Sequence, residues 1–190
     1  MGLRETKKAK TRKMISDLAT ELFVEKGYAA VTVAEIAEKA EVSVTTLFNY
    51  FPTKETLVFN EDKERETNLI SAVVTRKSGT SILDALEDFL LKSLAFTSVR
   101  QKGFAAFKQL IQSTPELSLY ERQVWMRYEQ SLADVIQKEA ARKIGRVEAE
   151  IIAHFVLDAF HRVQNAPNPK ASLKAAFRIL KDGWKESAAG

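Results

Sequence analysis

Residues 32–54, TVAEIAEKAEVSVTTLFNYFPTK, restrict the possible folds of this chain more than any other stretch. Thr32 with Glu35 three positions on reads as a capping box, so a helix starts at Val33 with the threonine hydroxyl and the glutamate carboxylate satisfying orphan backbone donors. Val33, Ile36, Ala37 and Ala40 fall on one face of it. Residues 40–43 break the periodicity, Ser43 is placed to N-cap a second helix over 44–51, and Pro52 ends that helix. The spacing is that of two short helices meeting across a tight turn.

In the second helix Leu47 and Phe51, spaced i, i+4, join Val42 in a core, which leaves Val44, Thr45, Thr46, Phe48, Asn49 and Tyr50 outward or partly outward. A merely solvated face would not combine small hydroxyls, an amide and two aromatics. The set suits a B-DNA major groove: Thr reaches base edges or the thymine methyl, Asn favours adenine, and Tyr50 and Lys54 reach phosphates. Thr32, at the start of the preceding helix, completes the predicted DNA contacts. Helix-turn-helix spacing alone also occurs as an ordinary corner between helices; the aromatic run and the basic flank tip the balance toward DNA.

The order T-V-x-x-I-A-x-x-A-x-V-S-x-x-T-L-F-x-Y-F-P-T-K-E-x-L, after an amphipathic helix ending in E-K-G-Y, resembles the DNA-binding domain of the tetracycline-repressor (TetR) family. The match runs from about residue 11 to 57, and the chain length and helical remainder also suit the family. Two positions depart from its usual pattern. Glu41 stands where Gly is common, so the turn lacks the residue that best tolerates positive φ. Phe48 stands where Tyr is common, which removes a hydroxyl from the reading surface.

Few Gly and Pro among many Ala, Leu, Glu and Lys predict an all-α chain: a three-helix helix-turn-helix domain followed by a larger helical domain, about nine helices in all, divided as 1–53 and 54–190. With no cysteine there is no disulfide, thiolate metal site or cysteine nucleophile. No segment approaches the roughly twenty apolar residues of a membrane span, and the expectation is a cytoplasmic protein with no membrane partner. G-x-S-x-G, a phosphate-binding Gly loop and H-E-x-x-H are all absent, so an enzyme is not expected, nor is a cofactor.

Arg4, Lys7, Lys8, Lys10, Arg12 and Lys13 crowd the first residues against Glu5 alone, predicting a basic arm, mobile without DNA, that tracks phosphates or enters the minor groove. Met14, Ile15, Leu18, Ala19, Leu22 and Phe23 then give a scaffold helix over about 10–26, stopped by Gly27. Thr53 is placed to cap a helix running without a break from Lys54 to about Val74, a rod leading from DNA into the second domain. Residues 76–81 read as a linker. Further helices are expected over about 82–97, 104–112 and 115–143, the last closed by Gly145. Residues 151–160 form another helix, and a final one starts behind an Asn168 cap with Pro169 at its first position.

Residues 151–160, IIAHFVLDAF, are apolar on nearly every side, which requires cover from the helix's own domain and from something beyond it. A two-fold four-helix bundle meets that need, and the resemblance implies the same homodimer, with Ile152, Val156, Ala159, Phe177, Leu180 and Trp184 as predicted dimer contacts. Large aromatics in the second domain allow a small-molecule pocket, which the resemblance implies as an inducer site; its predicted lining is Phe96, Phe104, Phe107, Trp125, Tyr128, Phe155 and Asp158. His154, Asp158 and His161 share a helix face, where structural pairing is favoured over ligand hydrogen bonding, and that over metal. The function expected is a ligand-responsive repressor, released from an inverted-repeat operator in double-stranded DNA by a small apolar or amphipathic effector. The alternative is a helical binding or carrier protein without sequence-specific DNA binding.

Overall fold

The computed structural model describes residues 2–99, 101–164 and 166–183; side chains are described for all of these except residues 3, 95–99, 101, 102 and 104. Among the described residues the chain is all-α, with ten helices and no strand: α1 (Leu3–Lys26), α2 (Val33–Lys39), α3 (Val44–Tyr50), α4 (Glu55–Val58), α5 (Asp62–Val74), α6 (Ile82–Val99), α7 (Gln101–Ser113), α8 (Pro115–Glu139), α9 (Arg146–Val163) and α10 (Pro169–Asp182).

Packing divides the chain into two compact units, Met1–Lys63 with Lys102–Val124, and Glu64–Gln101 with Trp125–Gly190. The core of the first unit continues past residue 53. Ile15, Ala19, Leu22 and Phe23 of α1 meet Ile36 and Ala37 of α2, Leu47 and Phe51 around α3, Leu57 and Val58 of α4, and Leu110, Ile111 and Leu117 from later in the chain.

The tenth helix arises where one continuous helix over 54–74 was expected. Phe59 leaves helical geometry at φ −99°, ψ 40°. Its ring lies 5.1 Å from that of Tyr120. The carbonyl of Leu57, which an unbroken helix would offer to residue 61, accepts from the Ser16 hydroxyl at 2.7 Å instead. Asp62 restarts the helix, its carboxylate accepting from the Lys63 N–H at 2.8 Å. Thr53 does not cap α4; Lys54 occupies that position with helical backbone angles.

Two other boundaries move. The basic block expected to be a mobile arm over 1–10 is helical from Leu3, with Gly2 as the cap residue and its N–H donating to the Glu5 carboxylate at 3.2 Å. Helix α8 stops at Glu139 rather than 143: Ile144 turns into the interior, and Gly145 caps the start of α9 instead of closing α8.

In the second unit α10 packs against both α6 and α9. Leu86, Leu90, Leu132, Ile136, Val156, Leu173 and Phe177 are buried. Polar ties brace it. Lys181 reaches Asp84 and Glu87, Arg76 donates to the Glu139 carbonyl at 2.9 Å, and Glu66 accepts from Arg127 at 2.8 Å and from Ser131 at 2.5 Å.

The α2–α3 turn carries backbone strain. Glu41 sits at φ 53°, the sole described non-glycine residue with positive φ. It holds that angle because the Val42 N–H must turn back to the Ala37 carbonyl, at 3.0 Å, to close α2. The left-handed region costs an L-residue roughly 1–2 kcal/mol, partly offset for glycine by its greater unfolded-state entropy. Glu41→Gly is therefore expected to stabilise the protein by about 0.5–1 kcal/mol, read as a higher denaturant midpoint at unchanged slope. A lower midpoint would show that the strain is illusory.

Candidate nucleic-acid interface

Helix α3 is held by caps at one end and by α1 at the other. The Ser43 hydroxyl accepts from the Thr46 N–H at 3.0 Å and lies 2.8 Å from the Thr46 hydroxyl. At the far end the Arg12 guanidinium stands over the Phe51 ring, 4.4 Å from its centroid, and donates to the Tyr50 carbonyl. One face of α3 is shut into the core through Leu47, with Phe51 just behind it. The helix is thus pinned at both ends and backed along its length.

The predicted DNA contacts do not all stand alike. Val44, Thr45, Phe48 and Asn49 are exposed, and Thr46 is half-buried. Tyr50 packs partly into the first unit's core. Thr32 is exposed, but its hydroxyl already accepts from the Glu35 N–H at 3.1 Å. Only that half of the capping box forms, because the Glu35 carboxylate pairs with Lys26 at 2.6 Å.

Lys54 departs furthest from expectation. Its ammonium donates to the Tyr28 carbonyl and lies 4.1 Å from the Tyr28 ring centroid and 5.2 Å from that of Phe23. Burial holds its pKa below the ordinary lysine value. Beside it the Tyr28 hydroxyl donates to Glu55 at 2.9 Å, and burial pushes the phenol well above its usual range. A lysine so engaged ties α4 to the end of α1. It is a structural strut in this conformation and not a free phosphate ligand.

Local pattern marks Arg12 as a surface cation; its partners are a backbone carbonyl and an aromatic face nearly forty residues on, which no short-range signal announces. Arg4, Lys7, Lys8, Lys10 and Lys13 face solvent along the first turns of α1.

This helix-turn-helix falls within the reach of the model for "Bacterial regulatory proteins, tetR family", which matches residues 15–60. Across a longer stretch, the chain is 30% identical over 174 residues to the HTH-type transcriptional regulator YvkB of Bacillus subtilis, covering 84% of this chain and 90% of that one. The chain belongs to the TetR family of bacterial transcriptional regulators. Solved TetR-like folds agree. NalD, the secondary repressor of the MexAB-OprM multidrug efflux pump in Pseudomonas aeruginosa, superposes with a TM-score of 0.63 at 21% identity, covering 92% of this chain and 97% of that one. Bacillus subtilis FadR, solved with stearoyl-CoA, gives 0.59 at 19% identity, covering 90% and 98%.

In this TetR-family chain the residues predicted to line an effector pocket do not share one setting. Phe107 packs against the first unit's core. Phe155 is 52% exposed. Trp125 meets Tyr128 at 5.8 Å and His161 at 5.5 Å, both edge-on, within the second unit. Asp158 pairs with Arg162 at 2.6 Å, and the side chains of Phe96 and Phe104 lie outside the described residues. The three residues weighed as a metal set have separate partners: His154 meets Glu129 at 3.1 Å, Asp158 meets Arg162, and His161 meets Trp125. No helix of the described chain is long and apolar enough to cross a membrane.

The predicted dimer contacts need correction at two positions. Val156 and Phe177 are fully buried inside their own unit and have no surface to offer a partner. Ile152, Ala159 and Leu180 are half-buried, and Trp184 lies outside the described residues. The apolar surface that α9 leaves open is Val147, Ile151 and Phe155, spaced four residues apart and 67%, 50% and 52% exposed. The sequence showed residues 151–160 of α9 to be apolar on nearly every side. Which third of it faced outward depends on where α10 docks.

Proposed function

We propose that this TetR-family regulator is a homodimeric repressor that reads an inverted-repeat operator through the exposed face of α3 and leaves it when an apolar or amphipathic effector binds. Residues 1–53 carry the reading; residues 54–190 carry effector binding and dimerisation, with Trp125 and Tyr128 as effector contacts. The observation that carries the proposal is the combination on α3 of a rigid mount with an open face of Val44, Thr45, Phe48 and Asn49. A groove-reading helix needs both, since base contacts discriminate only when their register is fixed.

Selection of bound sequences from random duplex DNA with the full chain is the direct test. An inverted repeat is expected, and recovery of no sequence preferred over random duplex would overturn the proposal. Asn49→Ala is expected to cost about 1–3 kcal/mol against the selected site and to relax preference at one base pair in each half-site.

The charge on α1 has a separable effect. Helix α3, VTTLFNY, carries no charged side chain and Lys54 is turned inward, so salt-dependent attraction falls largely to the exposed cations of α1, among them Arg4, Lys7 and Lys8. Replacing all three by Ala is expected to flatten the slope of log affinity against log salt by about 0.9 for each phosphate no longer neutralised. The preferred sequence should not change. An unchanged slope would remove α1 from the DNA backbone.

Effector and operator must weaken one another by the same factor, since an effector acts only through its differential affinity for the two conformations. Titrating a candidate compound with and without operator checks that equality.

A further inference from the structure

We propose that Val44 and Phe48 form a thymine-methyl reader, an apolar flank of α3 that selects operators presenting thymine C5-methyl groups in the major groove, a step that rests on α3 being the reading helix. Helix α3 has no Arg or Lys, so it cannot make the commonest specific contact, the bidentate pairing of a cationic side chain with guanine. Val44 and Phe48 are four residues apart and therefore neighbours on one side of the helix. They remain 41% and 45% exposed, while Leu47 between them is 1% exposed and anchored in the core. The helix thus presents two adjacent apolar side chains on the surface that faces the groove.

Among the four bases, thymine alone offers an apolar group on the major-groove edge. A phenyl ring at residue 48 has no hydroxyl with which to bond a phosphate or a base edge, so methyl contact is the specific interaction open to it. Asn49 is exposed and adjacent in sequence, and its amide matches the donor and acceptor of adenine. The two chemistries together describe a half-site built on A·T pairs, read through the methyl on one strand and the adenine edge on the other.

Deoxyuridine isolates the methyl, because it keeps the pairing and every hydrogen-bonding group of thymine. The operator recovered by selection would be remade with each symmetry-related pair of thymines replaced by deoxyuridine, and affinity of the full chain measured at fixed salt. One or two positions per half-site are expected to weaken binding about fourfold for each methyl removed, the rest being neutral. In Phe48→Ala the penalty at the position Phe48 contacts should vanish, and in Val44→Ala that at its own contact, while Asn49→Ala keeps both. Both residues are well exposed, so these variants should fold.

A selected operator whose every deoxyuridine version binds like the parent would overturn the methyl reader and leave operator reading intact. Equal uracil penalties in wild type, Phe48→Ala and Val44→Ala would also overturn it, assigning the effect to DNA shape. If selection yields no preferred duplex, the methyl reader falls together with the reading helix.

Discussion

Ile151→Glu is expected to convert a dimer into a monomer and to lower operator affinity about 10²–10⁴-fold without unfolding the chain. Ile151 lies midway along the exposed run Val147, Ile151, Phe155 on α9, and half of its surface is open. A glutamate there is hydrated in the monomer and costs the monomer little. Across a two-fold interface each glutamate would meet the partner's apolar surface and would have to shed that water. Operator affinity follows because a single α3 reads few base pairs, whereas a symmetric pair converts the second half-site into an intramolecular event.

Val156→Asp separates this from damage to the fold. Val156 is five residues further along the same helix but fully buried, so the aspartate carboxylate would be trapped within its own unit, at a cost of several kcal/mol. Circular dichroism should show Ile151→Glu helical and Val156→Asp destabilised, while light scattering reports mass. An Ile151→Glu protein that remains dimeric at micromolar concentration would remove the exposed α9 run from the dimer interface.

How much of this was legible beforehand depended on how local the cause was. The Thr32 and Ser43 caps, the turn over 40–43, the Gly27 stop and the Asn168–Pro169 start all appear where the sequence places them, because each rests on bonds made within a few residues. The break between α4 and α5 was invisible for the opposite reason: its causes are the Ser16 hydroxyl and the Tyr120 ring, forty or more residues away. Lys54 shows the same limit within the site. Pro-Thr-Lys marks where a helix begins after the reading helix, but whether the ammonium points to DNA or folds back onto Tyr28 and Phe23 depends on how α1 and α4 pack. Glu41 was identified from sequence as a poor fit to its turn, and its φ of 53° bears that out. The open face of α9 was least legible, since residues 151–160, apolar on nearly every side, give no phase from which to choose between Val156 and Ile151.

Arg12→Ala should lower stability by about 2–4 kcal/mol and weaken specific binding although Arg12 need not touch DNA. The Tyr50 carbonyl is one of the orphan acceptors at the C-terminal end of α3, and Arg12 satisfies it with a charged donor, an arrangement worth about 1.5–3 kcal/mol. The guanidinium also covers the ring of Phe51, adding about 0.5–1 kcal/mol. Removing both frees the end of α3 whose last turn carries Phe48 and Asn49, and a misplaced register weakens base contacts while leaving phosphate attraction intact. Salt dependence therefore decides the role. A strut leaves the slope of log affinity against log salt unchanged when it is cut; a phosphate ligand flattens it by about 0.9. Arg12→Lys supplies a further check, because an ammonium can reach the carbonyl but cannot lie flat on the ring while donating from a fork, so only part of the stability should return. Full recovery by lysine together with a flattened slope in Arg12→Ala would identify Arg12 as a backbone contact and leave the aim of α3 to the Ser43 cap and the buried side of Leu47 alone.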